Sequence, residues 1–309
     1  METTSINILS WASPILAVLM VSEFLFSKYK GHKNLYRLND FLASSAMGLG
    51  SMLINTVVKL LYSGIIFHLV YDFCNPFIDG TRTNGLGYSS FGWAWYIWLI
   101  CQFLDDFSHY WVHRLNHTVR FMWAAHMVHH SSEHYNYGTS IRLGWINVIY
   151  RPLFYLWIPA IGFHPDMVLA CLGIEVVWQF ILHTSYCPRL GFLEYIFITP
   201  KQHQVHHAIN KPYLDKNHGA IFNVFDKIFG SWKDYDDSID IHYGITNPPK
   251  SFNPIAIVMH EYKAIWNDVK KASNIREGLM FIFGPPGWSP NNETLTVRQM
   301  QLKLNENIK

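Results

Sequence analysis

The stretch WVHRLNHTVRFMWAAHMVHH, residues 111–130, carries five histidines in two groups, His113/His117 and His126/His129/His130. Residues three or four apart share one face of a helix, with Cβ atoms about 5–6 Å apart. HxxxH and HxxHH spacings therefore aim two or three imidazoles at one point. The HxxHH pattern returns at His203, His206 and His207. Eight clustered imidazoles are more than one metal can use while keeping positions open for chemistry, so two metals sharing them is the economical reading. His183, which closes an apolar segment, is a ninth candidate.

All-imidazole sites suit Zn, Cu, Fe or Ni, and the lack of thiolates and scarcity of carboxylates disfavour Ca and Mg. Chemistry with O₂ would select iron, although ligand type alone does not separate iron from zinc. Carboxylates commonly accept the second N–H of a ligating imidazole. Asp106 and Glu133 are the candidates for that role, and Gln179, one turn before His183, could join them or bind weakly itself. His109, His134 and His218 are left outside the ligand set. His32, His68, His164, His242 and His260 read as surface or capping residues.

Outside the clusters the chain is too apolar for an ordinary soluble domain. Half of its 309 residues are hydrophobic and only 15% are charged, against about a quarter charged in soluble proteins. The mean hydropathy of only +0.07 implies that apolar and polar parts are segregated. A net charge of +2 without a basic stripe argues against nucleic-acid binding. The cysteines, Cys74, Cys101, Cys171 and Cys187, form no CxxC pair and suggest neither a disulfide framework nor a thiolate zinc site.

A bilayer span needs about 20 mainly apolar residues. Ile6–Phe26 is the first candidate and reads as a retained span, because it lacks the basic start and cleavage site of a signal peptide. Lys28, Lys30, Lys33 and Arg37 follow it and mark the cytoplasmic side. Leu49–Phe73 reads as the second span, with Lys59 tolerated if it faces other helices. Phe91–Phe107 reads as the third, opening on an aromatic belt. Ile146–Phe163 and Asp166–His183 form an apolar hairpin, full or re-entrant, around His164-Pro165. Pro254–Ala272 predicts one amphipathic helix, and the charged tail is expected to be mobile. By this parity every dense histidine cluster falls on the cytosolic side, with His68 and His164 near the other. The expected architecture is all-α: a multi-pass transmembrane bundle with a cytosolic histidine-rich helical cap holding a dimetal centre. Its parts are membrane spans in 1–108, a catalytic region in 109–250 with the hairpin at 146–183, and a polar C-terminal region in 251–309.

Other classes fit less well. A divalent-metal transporter needs ionisable residues lining a path near the bilayer midplane, whereas Glu23, Lys59 and Glu175 form no set with the histidines in the sequence. Adjacent pairs such as His129-His130 suit poorly a haem held between facing axial ligands.

HxxxH followed by two HxxHH groups, threaded through apolar spans over residues 105–207, resembles the fatty acid hydroxylase and sterol desaturase superfamily. Its members are membrane enzymes that use O₂ at a histidine-bound dimetal centre to hydroxylate or desaturate lipids. WVHRLNH, FMWAAHMVHHSSEHYN, TPKQHQVHHAIN, DKNHGAIFNVFDKIFGSW, YGITNP and GPPGW (Gly284–Trp288) are similar to its alkylglycerol-cleaving branch, over about Phe91–Pro290. The resemblance implies metal ligation by His113, His117, His126, His129, His130, His183, His203, His206 and His207, with two iron ions. It further implies a lipid substrate, hydroxylated beside an ether oxygen to a hemiacetal that collapses to fatty aldehyde and glycerol. Tetrahydrobiopterin is the branch's reductant. Thr118 stands where the branch carries an acidic residue tied to pterin use, which leaves tetrahydrobiopterin or another electron donor open. Action on a sterol or fatty acyl chain is the alternative. The membrane would be the endoplasmic reticulum in a eukaryote or the inner membrane in a bacterium.

Overall fold

The computed structural model describes residues 8–85, 87 and 91–306, without the side chains at positions 59, 60, 63, 64 and 305. The chain is mostly helical; among the described residues, Phe77–Ile78 and Thr81–Arg82 form the one two-stranded antiparallel ribbon. Helices α1 (Ile8–Tyr29) and α2 (Leu38–Leu61) are about 33 and 36 Å long at 1.5 Å per residue. Both exceed the roughly 30 Å hydrocarbon core of a bilayer. Ile15, Val18, Val21 and Leu25 on α1, and Leu49, Met52, Leu53 and Val57 on α2, are exposed, as lipid-facing side chains would be.

Among the described residues, three helices are long and apolar enough to cross a membrane: Ile8–Tyr29, Leu38–Val58 and Pro165–Leu182. This differs from the sequence reading in several places. Ile6 lies outside the described residues, and Lys59 is among the undescribed side chains. The second candidate span begins at Leu38, not Leu49, because the polar residues of its first turns are satisfied by protein. Asp40 accepts hydrogen bonds from Ser132 (2.7 Å) and Arg142 (3.0 Å), and Arg142 also reaches Ser44. A π-helical turn, Tyr62–Ile66, then separates α2 from α3 (Phe67–Cys74).

The segment read as a third span becomes the first half of α4 (Trp95–Thr118). Trp95, Tyr96, Leu99 and Ile100 are exposed near its start, while Asp105, Asp106, His109 and His113 are buried further along. One helix thus crosses the division drawn at residue 108. Extended Val119 (φ −113°) ends it, and α5 (Arg120–His130) folds back against it. The first arm of the apolar hairpin is not one helix. It is a series of short turns over Asn147–Tyr150, Arg151–Tyr155 and Trp157–Ala160, because Pro152 and Pro159 supply no backbone donor. The second arm is continuous: α6 (Pro165–Leu182) starts on a proline, and the His164 ring caps it by accepting the Asp166 N–H at 3.2 Å.

Cys101, Tyr155, Ile158, Phe163, Met167, Val168 and Cys171 form the core where α4 and α6 meet the broken arm. Met47, Val128, Ile257 and Val258 fasten α5 to α2. The predicted C-terminal amphipathic helix breaks at Met259 into Pro254–Val258 and His260–Val269. The tail expected to be mobile is helical over Val297–Glu306, and Gln301 donates to the Leu214 carbonyl at 2.8 Å.

The loop after Ser140 presses on the histidine-bearing helix at Gly144, where a Cβ would stand 1.9 Å from the carbonyl oxygen of Ala125. Backbone, not a pliable side chain, is in the way. Gly144→Ala is expected to destabilise the protein by about 1–3 kcal/mol, the usual range for overpacking, read as a lower thermal midpoint in detergent.

Candidate metal centre

Four segments deliver the histidines. On α4 and α5, residues four apart stay on one face: His113 with His117, and His126 with His130. His183 is the residue that ends α6. The last segment is α7 (Pro200–His206), which opens with Pro200 and a reciprocal cap between Thr199 and Gln202.

The imidazoles gather in two buried groups. His113, His117, His126, His130 and His206 form one; His129, His183, His203 and His207 form the other. Within each group one nitrogen per residue lies within 4.8 Å of the rest. The two HxxHH motifs split between them in complementary fashion. At about 100° per residue, the i and i+4 histidines stay within about 40°, while the i+3 histidine turns about 60° the other way. His126 and His130 therefore enter the first group and His129 the second; His203 and His207 enter the second and His206 the first.

The contacts within the groups fit a metal better than they fit hydrogen bonds. His126 Nε2 lies 3.0 Å from His113 Nε2 and 3.1 Å from His130 Nε2. His183 Nε2 lies 3.0 Å from His129 Nε2 and 3.2 Å from the Nε2 atoms of His203 and His207. Several of these rings donate outward through Nδ1 instead: His113 to the His218 carbonyl (2.8 Å), His183 to Gln179 (2.7 Å), His206 to Lys216 (2.8 Å) and His129 to Arg142 (3.3 Å). With the proton on Nδ1, each Nε2 presents a lone pair to other lone pairs. Two nitrogens bound at right angles about 2.0–2.1 Å from one ion lie about 3.0 Å apart, close to the separations seen. His117 Nε2 and His206 Nε2 are also buried without a hydrogen-bond partner.

Burial, reinforced by neighbouring imidazoles, pushes His113, His126, His130, His203, His206 and His207 well below the ordinary histidine value. Burial likewise pushes His129 down to about 4. Unprotonated nitrogen is the form that binds a metal.

The supporting residues differ from those expected. Asp106 touches no imidazole; its carboxylate accepts the N–H groups of Ala220, Ile221 and Phe222 at 2.8–3.1 Å. Seven residues before His113, it sits about 10 Å further along the helix, opposite that loop. Glu133 is exposed and lines an open cleft with His134 and Tyr135. Gln179 supports His183 through its backbone carbonyl, while its side chain donates to the Ala220 carbonyl at 2.9 Å. Backbone carbonyls thus do most of the work expected of carboxylates, and they leave no signature in side-chain identity. One carboxylate does approach: Asp215, in the left-handed region at φ 53°, lies 3.4 Å from His117 Nδ1.

Tyr135 stacks on His183 (centroids 5.6 Å apart) and on Tyr243 (5.0 Å), screening the second group from the cleft. His218 lies outside both groups, its ring centroid 5.0 Å from that of His117. His109 touches the first group through His113, with His109 Nε2 3.2 Å from His113 Nδ1.

Among the described residues, three helices long and apolar enough to cross a membrane accompany two buried imidazole groups that could each hold a metal ion, and the comparisons with known proteins point the same way. Residues 98–231 match the fatty acid hydroxylase family model, a range that contains all nine histidines. The chain is similar to the alkylglycerol monooxygenases of Homo sapiens (33% identical over 92% of this chain and 60% of the relative) and Xenopus tropicalis (32% over 90% and 59%). It spans about three fifths of the length of these relatives. A more limited likeness, 29% over 44% of this chain and 48% of the relative, reaches methylsterol monooxygenase 1 of Rattus norvegicus. No solved structure matches.

Proposed function

We propose that the protein is a membrane di-iron monooxygenase that hydroxylates a lipid, cleaving the ether bond of alkylglycerols to a fatty aldehyde and glycerol. The observation that carries this reading is the pair of adjacent imidazole groups inside a fatty acid hydroxylase domain. Similarity to alkylglycerol monooxygenases along nine tenths of the chain supports the ether lipid over the sterol or acyl chain.

His113, His117, His126, His130 and His206 would hold one ion, and His129, His183, His203 and His207 the other. The bound metals would supply O₂ activation and oxidation of a C–H bond. The chain's own part is positioning and exclusion of water. Nδ1 donation to backbone carbonyls fixes ring orientation, and the Tyr135–Tyr243 stack covers the second group. An amphipathic substrate can keep its tail in lipid while its head group reaches the centre.

The basic segment after α1 lies at the histidine end of the bundle: His32 Nδ1 pairs with the Tyr186 hydroxyl at 2.9 Å, and Asn136 donates to the Leu35 carbonyl. Positive charge at this end supports a cytosolic metal centre. His68 and His164 pack together at the opposite end.

Protein purified in detergent is expected to carry iron at about two per chain, the number of imidazole groups, and to release fatty aldehyde from an alkylglycerol supplied with reduced pterin. Turnover with another reductant only would move the electron donor away from pterin, consistent with Thr118. No turnover of any alkylglycerol would sink the ether-lipid assignment, and turnover of a sterol or acyl lipid would then replace it.

A further inference from the structure

Glu175 lies in the second half of α6, an 18-residue apolar helix, and its carboxylate is only 1% exposed. An ionisable group within such a segment is costly and by default marks a functional site. Its partners are on the page. Arg151 forms a close ion pair with it, and the Tyr155 hydroxyl donates to Oε2 at 3.0 Å. His109 Nδ1 lies 2.6 Å from Oε1. The sequence separates Glu175 from the histidines, but the fold joins it to them.

The hydrogen-bond inventory assigns the protons along this chain. A carboxylate only accepts, so His109 Nδ1 carries the proton, and in the neutral ring Nε2 is then an acceptor. That acceptor lies 3.2 Å from His113 Nδ1, which also lies 2.8 Å from the His218 carbonyl. Facing two acceptors, His113 Nδ1 carries the proton as well. His113 Nε2 is left with its lone pair turned into the five-histidine group, 3.0 Å from His126 Nε2. In the four-histidine group, by contrast, the Nδ1 partners of His129 and His183 are backbone carbonyls.

We propose that Glu175 is a positioning residue for the metal centre. Through His109 it adds a second acceptor to His113 Nδ1, beside the His218 carbonyl, and so helps to fix the ring orientation and tautomer of His113; the five-histidine group draws on this carboxylate and the four-histidine group does not. This rests on reading the nine histidines as metal ligands.

The test is competition for metal between the purified full-length protein and a chromophoric chelator, with metal per chain measured in parallel. Outer-shell partners typically contribute about 10–100-fold to metal affinity. Glu175→Gln is expected to weaken one of two sites by that factor and leave the other at the wild-type value. Because Glu175→Gln leaves the partly buried Arg151 without its counter-charge and could fail to fold, Glu175→Gln/Arg151→Met is measured too. It removes both charges together and is expected to show the same selective loss.

Equal weakening of both sites, no weakening, or recovery in the double variant would overturn the proposal. Recovery would mean that Glu175 serves only to balance Arg151. Wild-type protein holding fewer than two ions would instead overturn the two-metal reading beneath it.

Discussion

His183→Ala is expected to strip the metal from the four-histidine group and to lower lipid turnover well over 100-fold. Outer-shell changes typically cost about 10–100-fold in metal affinity or activity, and His183 stands at the centre of its group. Its Nε2 approaches those of His129, His203 and His207 at 3.0–3.2 Å. The residue ends α6, with its Nδ1 bound 2.7 Å from the Gln179 carbonyl, so the ring is held before any metal arrives. Alanine removes the ligand and leaves a cavity beside Tyr135.

Gln179→Ala is the matching control. It keeps the backbone carbonyl that orients His183 and deletes only a hydrogen bond to the Ala220 carbonyl. Metal per chain should therefore stay near the wild-type value in Gln179→Ala and fall by about half in His183→Ala, if each group in the pair holds one ion. Full metal content with turnover within tenfold of wild type in His183→Ala would remove this residue from the ligand set.

How much of this was legible in the sequence follows from what kind of group does each job. Imidazoles at i, i+3 and i+4 announce themselves, and the division of each HxxHH motif between two groups follows from helical angles alone. The supports do not announce themselves, because the carbonyls of Arg142, Gln179, Lys216 and His218 are backbone atoms that any residue supplies. Asp106 and Glu133 are near the clusters in sequence, but Asp106 lies two turns back along its helix and Glu133 is exposed in the turn after His130. Glu175 is 66 residues from His109, and only the packing of α4 on α6 brings them together. The same limit holds for the fold. Hydropathy finds α1 and α6, but it misplaces the start of α2, whose polar first turns are satisfied by Arg142 and Ser132 from another part of the chain. It also reads one arm where Pro152 and Pro159 break the backbone into turns.

The second large effect concerns the loop His218–Phe222, whose five successive backbone N–H groups are all taken by two buried carboxylates. Asp226 accepts from His218 and Gly219, each at 2.8 Å, and also from the Ser231 hydroxyl. Asp106 accepts from Ala220, Ile221 and Phe222. The loop is what these carboxylates hold, and the five-histidine group leans on the loop, because the His218 carbonyl receives His113 Nδ1. Asp106→Ala strands three buried donors at about 1–3 kcal/mol each. The gain from no longer burying a carboxylate offsets part of this, leaving a net loss of several kcal/mol. At roughly 2–4 °C per kcal/mol for a chain of this order of size, the thermal midpoint should fall by on the order of 10 °C. Metal affinity should weaken first in the five-histidine group. Asp106→Asn should recover part of the loss, because its amide oxygen can still accept from Ala220 and Ile221, which share Oδ1, while its amide nitrogen faces only the Phe222 N–H. A midpoint for Asp106→Ala within about 2 °C of wild type, below the roughly 2–4 °C expected per kcal/mol, would mean that the loop is held by its flanking contacts, and the carboxylate would lose its role in building the site.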